Sequence, residues 1–196
     1  MIIHEFGYPY PKTQQLKNVC SKKGLPLLEN CAWTYGSRLG KQLVGEIGDY
    51  TIYSLPKILP LQYGGLLRSF NPIDALMNSV DEEKKKIIIG SLTKYLPQID
   101  AYNRQRILNW RYLFRLFQKI DHRPLIKIKP GTIPAAFILK TQNFQDLYRR
   151  YLDFGVETGR YYHEGALILP SHQNLRRAQL DYIFAIFNGA RISKFK

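Results

Sequence analysis

The stretch GEIGDYTIYSLPKILPLQYGGLL, residues 45–67, reads as strand, stiffened loop, strand. Its YTIYS core, 50–54, is rich in β-branched and aromatic residues, which fit a pleated surface. Pro56 and Pro60 fix φ on either side of Lys57. The Gly64-Gly65 pair marks a turn, and GGLLRS, 64–69, supplies the next strand. Lys57 therefore stands on a constrained loop directly after a strand. Two readings of it are open: an ordinary lysine on a loop rim, or an amine held out for covalent chemistry. The second would require a neutral amine, obtained by desolvation or by nearby positive charge.

Working outward toward the N-terminus, Ile2–His4 reads as the end of a strand. Residues 12–23 read as a helix: Pro11 suits its first turn, Leu16, Val19 and Cys20 share a face, and Gly24 stops it. LPLLE, 25–29, is a short apolar strand, and 37–49 is a glycine-punctuated loop able to hold a hairpin. Strand, helix and strand in this order predict an α/β layer with a mostly parallel sheet of three to four strands. So small an open sheet leaves an edge and an apolar face to cover. A homo-oligomer burying part of residues 1–70 is the expected solution.

Toward the C-terminus the pattern turns helical. DEEKKKIIIGSLTKYL, 81–96, opens with acids where the helix dipole favours them. A long helix follows from Pro97 to about Ile120, with Ile99, Tyr102, Trp110, Leu113, Phe117 and Ile120 on one side. Arg104, Arg111, Arg115 and Lys119 fall on the other, read as a solvated face. IPAAFILKT, 133–141, and ALILP, 166–170, are strands. Residues 143–156 and 174–189 are helices with Asn143 and Asn174 as candidate caps. The expected organisation is a partial cofactor-type α/β layer over 1–96, a connecting helix over 97–120 and a small α+β domain over 121–196.

Composition bounds the function. The chain has 196 residues and a net charge of +14. Purely apolar runs are short, as at Ile87-Ile88-Ile89, so no membrane span is expected. The N-terminus lacks a basic segment followed by a long apolar run, and a cytoplasmic protein is expected. Cys20, Cys31 and the four histidines show no metal-ligand spacing, so no metal is expected. The basic excess admits nucleic acid or phosphorylated ligands as partners. No recognition signature accompanies it, which disfavours nucleic acid.

Three segments, in order, resemble the DegT/StrS-type sugar aminotransferases. They are HEFGYPYPKTQQLKNVCSKKGLPLLENCAWTYGS (4–37), GEIGDYTIYSLPKILPLQYGGLL (45–67) and VETGRYYHEGALILPSHQNLRRAQLDYIFAIF (156–187). The resemblance runs over nearly the whole chain and about half of a family member, the family's N-terminal portion being absent. It implies an aspartate aminotransferase-like fold and pyridoxal phosphate (PLP) as cofactor. It also implies transfer of an amino group from glutamate to a keto-sugar nucleotide, within nucleotide-sugar metabolism.

By position, the resemblance places Lys57 at the Schiff-base lysine. The family's Asp at the cofactor's ring nitrogen becomes Asn30, which can hydrogen-bond but cannot balance a proton on the ring. Glu29 is adjacent, but strand neighbours point to opposite faces, so it is a poor substitute. The polar residue beside the ring hydroxyl becomes Trp33, read as an aromatic filling that space. Ser54 matches the family's serine before the lysine; it can touch phosphate or simply satisfy a strand end. Most of the phosphate support would come from the absent portion. His4 and Gly7 fit a structural turn, Asp49 a strand-start cap, and Arg160, Tyr161 and His172 surface or packing roles near the substrate. The functions implied are a truncated, catalytically degenerate PLP-dependent aminotransferase-family protein, inactive alone, or a non-catalytic binding or assembly subunit, completed or not by a separate N-terminal-half polypeptide. A basic module for anions or nucleic acid is the third.

Overall fold

A computed structural model describes residues 1–70, 73 and 81–189. Residues 190–196 of the expected C-terminal domain lie outside the described residues. The chain divides into two compact units, one formed by Met1–Tyr102 with Lys129–Ile133, the other by Asn103–Ile128 with Pro134–Lys196.

The first unit is the expected α/β layer. Strands β1 (Ile2–Ile3), β2 (Leu28–Asn30), β5 (Tyr50–Ser54) and β6 (Gly65–Ser69) form one sheet in the order β1-β2-β5-β6. The first three are parallel, with Ile3 opposite Asn30 and Asn30 opposite Ile52. Strand β6 runs antiparallel to β5, pairing Ser54 with Gly65. Helix α1 (Thr13–Lys22) provides the crossover from β1 to β2, and Gly24, at φ 64°, ends it as expected. The face shared by Leu16 and Val19 is exposed, at 37% and 49%, rather than packed. The glycine-rich loop holds a hairpin, β3 (Arg38–Leu39) with β4 (Gln42–Leu43). Ser37 binds the remote 129–133 segment into this unit: its hydroxyl donates to Gly7 O and accepts from Ile133 N. Helix α2 (Glu82–Tyr95) starts at Asp81, whose carboxylate accepts from the Glu83 and Lys84 amides.

Helix α3 (Ile99–Gln118) is the expected long helix, entered by a 3₁₀ turn over Leu96–Gln98. Trp110, Leu113 and Phe117 are buried on it as the periodicity predicts. The same face carries buried Asn103, Arg106 and Asn109, which the apolar pattern did not mark. In the second unit, β7 (Ala136–Lys140), β9 (Ala166–Pro170) and β8 (Gly159–Tyr161) form an antiparallel sheet in the order β7-β9-β8. Helices α4 (Phe144–Asp153) and α5 (Arg177–Phe187) complete it. The core gathers Leu113, Phe117, Phe137, Leu139, Tyr151 and Leu167, among others. The cap of α5 is Arg176, not Asn174, because the loop after β9 continues through a turn in which Leu175 N bonds His172 O. Asn143 precedes α4, but its side chain makes no capping bond.

Candidate functional site

Because β1, β2 and β5 are parallel, their carboxyl ends share one edge of the sheet. The chain leaves that edge three times: through a 3₁₀ turn over Glu5–Gly7, through Cys31–Thr34, and through a 3₁₀ turn over Leu55–Lys57. Open α/β sheets place their ligands at this edge. The four residues singled out from the sequence, Asn30, Trp33, Ser54 and Lys57, all lie on its exits.

Lys57 is positioned by what buries around it. Leu55, Ile58 and Leu59 are almost inaccessible and pack with Tyr35, Tyr53, Leu66 and Leu92. Leu55 N bonds Gly64 O, and the Ile58 and Leu59 amides return to Leu55 O, closing the turn. The Gly-Gly pair is required by close approach. A Cβ on Gly65 would lie 2.8 Å from Tyr53 O, and Gly64 adopts φ 108°. With its neighbours anchored inward, Lys57 projects outward and is exposed. Its Nζ lies 4.5 Å from the centroid of the Trp33 ring, a cation–π contact. Trp33 in turn touches Phe6, with ring centroids 5.9 Å apart. Phe6 holds a left-handed backbone at φ 50°.

Asn30, at the end of β2, uses Oδ1 to accept from Ala32 N at 3.0 Å. Ser54, half-buried, does not cap the turn that follows it. Glu29 faces the other way, as strand alternation predicts, and is fully buried. Its Oε1 accepts from the Ile47 and Gly48 amides, and its Oε2 from Gly45 N and His4 Nε2. His4 Nδ1 accepts from Tyr10 N, so Nε2 is the nitrogen that carries hydrogen. Burial raises the Glu29 pKa, but the His4 and Gly48, Gly45 and Ile47 donors outweigh it and hold the carboxyl below its ordinary value. Cys31, also buried, has its thiol pushed well up by burial and by Glu29.

His4, Glu29 and Cys31 bring ligand atoms within 4.8 Å of one another, the arrangement closest to a metal site among the described residues. Both Glu29 oxygens already accept two N–H groups each and both His4 nitrogens are engaged. The cluster is built as a lock between β1, β2 and the Gly45–Gly48 loop. Asp49 adds a second clasp, accepting from Leu27 N at 2.7 Å and from Lys17.

The other residues read from the sequence lie in the second unit, apart from Gly7, which ends the turn after β1. Arg160 rests over the Tyr148 ring at 4.2 Å, and Tyr161 ends β8. His172 has its pKa lowered by burial and then by Arg106.

A pyridinium ring needs a balancing carboxylate, a polar partner for its hydroxyl and an unobstructed lysine amine. Glu29 is committed elsewhere, Asn30 Oδ1 already accepts from Ala32 N, and the exposed Lys57 amine rests on the Trp33 ring.

Residues 1–71 match the DegT/DnrJ/EryC1/StrS aminotransferase family. Solved aminotransferase structures share the fold. Aminotransferase TlmJ from Streptoalloteichus hindustanus superposes with a TM-score of 0.81 at 19% identity, over 95% of this chain and 64% of its own. A DegT DnrJ EryC1 StrS aminotransferase from Brucella abortus gives 0.76 at 15%, over 95% and 62%. Sugar aminotransferase CalS13 from Micromonospora echinospora gives 0.73 at 17%, over 96% and 66%. The chain thus spans under two thirds of the first of these structures and shares their fold over that part. No curated protein matches it. The α/β class, the mostly parallel four-stranded sheet and the resemblance itself are borne out. Among the described residues, no helix is long and apolar enough to cross a membrane.

Proposed function

We propose that this protein is a catalytically degenerate DegT/StrS-type homologue that serves as a non-catalytic binding or assembly subunit. The single observation that carries this reading is the Lys57–Trp33 contact. The side chain at the Schiff-base position is seated on an indole that stands where the family has a polar residue. The loss of the ring-nitrogen carboxylate at Asn30 points the same way. Both changes lie within the chain, so the reading does not depend on what other segment or polypeptide accompanies it. A glutamate-to-keto-sugar transfer would need all of these supports together, since the cofactor's electronics and its capture fail at once without them.

Titration with PLP tests this. The expected result is no visible absorbance band that disappears in Lys57→Ala; a saturable, Lys57-dependent band in the unmodified chain would overturn the reading. The assembly role has its own support. Met1, Ile3, Leu16, Val19 and Leu25 are all exposed on or beside the edge strand β1 and helix α1. Exposed apolar area beside a sheet edge favours association. Light scattering is expected to give at least a dimer, shifted toward monomer by the pair Ile3→Lys and Val19→Glu. A monodisperse monomer before substitution would count against it.

A further inference from the structure

The strong positive charge is not accounted for by the carboxyl-edge site, and the second unit offers it a defined place. Helices α3 and α5 enclose a cleft of about 260 Å³ bounded by Leu108, Asn109, Tyr112, Arg115, Arg177 and Leu180. No acid lines it. The Tyr112 ring is its organising element. Arg177 Cζ lies 4.1 Å and Arg115 Cζ 5.8 Å from its centroid, so the guanidiniums are no more than about 10 Å apart. The Tyr112 hydroxyl donates to Asp181 on α5, which fixes the ring and engages the nearest carboxylate. Among the described residues neither arginine forms an ion pair. Arg177 is also the first residue of α5, so first-turn amides add to the positive potential there.

We propose that this cleft binds a phosphoanion, with a phosphate or diphosphate group held between Arg115 and Arg177. Guanidinium forks match phosphate oxygens in a bidentate manner that lysines do not. Exposed Leu108 at the rim offers an apolar surface to whatever carries the group. Its volume falls just short of the roughly 300–1,000 Å³ usual for small-molecule pockets, which fits a charged group rather than a whole drug-sized ligand. The wider stripe of Arg104, Arg111 and Lys119 would instead serve a nucleic-acid strand, whose phosphates need a line of charges and no enclosed cleft.

Calorimetric titration of the full chain at low ionic strength, with inorganic pyrophosphate and separately with ADP, decides the matter. Saturable one-site binding is expected, weakened about tenfold by Arg115→Gln or Arg177→Gln. Arg177→Lys is expected to fall between, because charge remains and the fork is lost. Arg104→Gln and Lys119→Gln remove the same charge outside the cleft and should change affinity less than about twofold. Equal affinities for the two ligands would assign the site to the diphosphate alone, and tighter ADP binding to a nucleotide; each supports the proposal. Thermal melts of every variant establish that these exposed substitutions leave the fold intact. Non-saturable binding, or equal losses from all four charge-removing variants, would overturn it. So would tighter binding of a single-stranded oligonucleotide that depends on Arg104 and Lys119 as strongly as on Arg177.

Discussion

Replacing Glu29 with alanine is expected to cost about 3–5 kcal/mol, enough to unfold much of a marginally stable domain at 37 °C. The carboxylate is fully buried and receives four N–H groups: His4 Nε2 and the amides of Gly45, Ile47 and Gly48. Deletion leaves those donors without an acceptor and without water, and each such group carries a desolvation penalty of about 1–3 kcal/mol. Glu29→Gln separates charge from shape. It keeps the volume, but the amide nitrogen must face two N–H donors, so a loss of about 2–4 kcal/mol is expected. Urea melts of the parent and both variants measure this; a Glu29→Gln chain as stable as the parent would refute the account.

The same group sets an acid limit. The folded Glu29 pKa lies below the ordinary value of 4.5, so the folded state favours the ionised form. Its contribution is therefore fully present above pH 4.5 and is lost as pH falls through the lower, folded value. The parent should lose stability in that acid range, and Glu29→Gln should lose less over the same interval, because its side chain does not titrate.

Most of the first unit is legible in the sequence because local signals agree there. β5, the Pro-Lys-Pro loop, the Gly-Gly turn and β6 each have the residue types their backbone requires. The placement of Lys57 on a carboxyl-edge exit follows from that order alone. Strand alternation likewise separates Glu29 from Asn30. What Glu29 does is not legible in the same way, since its partners come from a loop 16 to 19 residues away whose glycines announce a turn but not an anion-binding one. The polar residues of α3 show the same limit. Asn109 Nδ2 donates to His172 O and Arg106 Nε to Gln173 Oε1, partners more than 60 residues distant, so an apolar pattern along the helix does not mark them. Strand β8, three residues within VETGRYYHEG, has no alternation long enough to register. The exposed Leu16–Val19 face of α1 looks like core from periodicity because amphipathicity reports that a face is apolar, not what covers it.

On the proposed reading, exchanging Asn30 and Trp33 for the residue types that the family resemblance implies should bring back part of the response to PLP. The chain carrying Asn30→Asp and Trp33→His, given excess PLP, is expected to develop a visible band that vanishes when Lys57→Ala is added. The two changes act on separate defects. An aspartate at the end of β2 can balance a protonated ring nitrogen, and a charge-assisted hydrogen bond contributes about 1.5–3 kcal/mol, on the order of ten- to a hundredfold in affinity. Removing the indole releases Lys57 Nζ from the ring face it now occupies 4.5 Å away, a contact of about 0.5–1 kcal/mol at an exposed position. Replacing Asn30 also removes the amide group whose Oδ1 accepts from Ala32 N, but an aspartate oxygen at the same place can accept that bond. The fold should therefore survive the exchange. Asn30→Asp alone should recover less than the pair, since the amine stays on the indole face. If the double variant responds to PLP no differently from the parent, the defect lies elsewhere than at these two side chains, and the degeneracy argued from Trp33 and Asn30 is wrong.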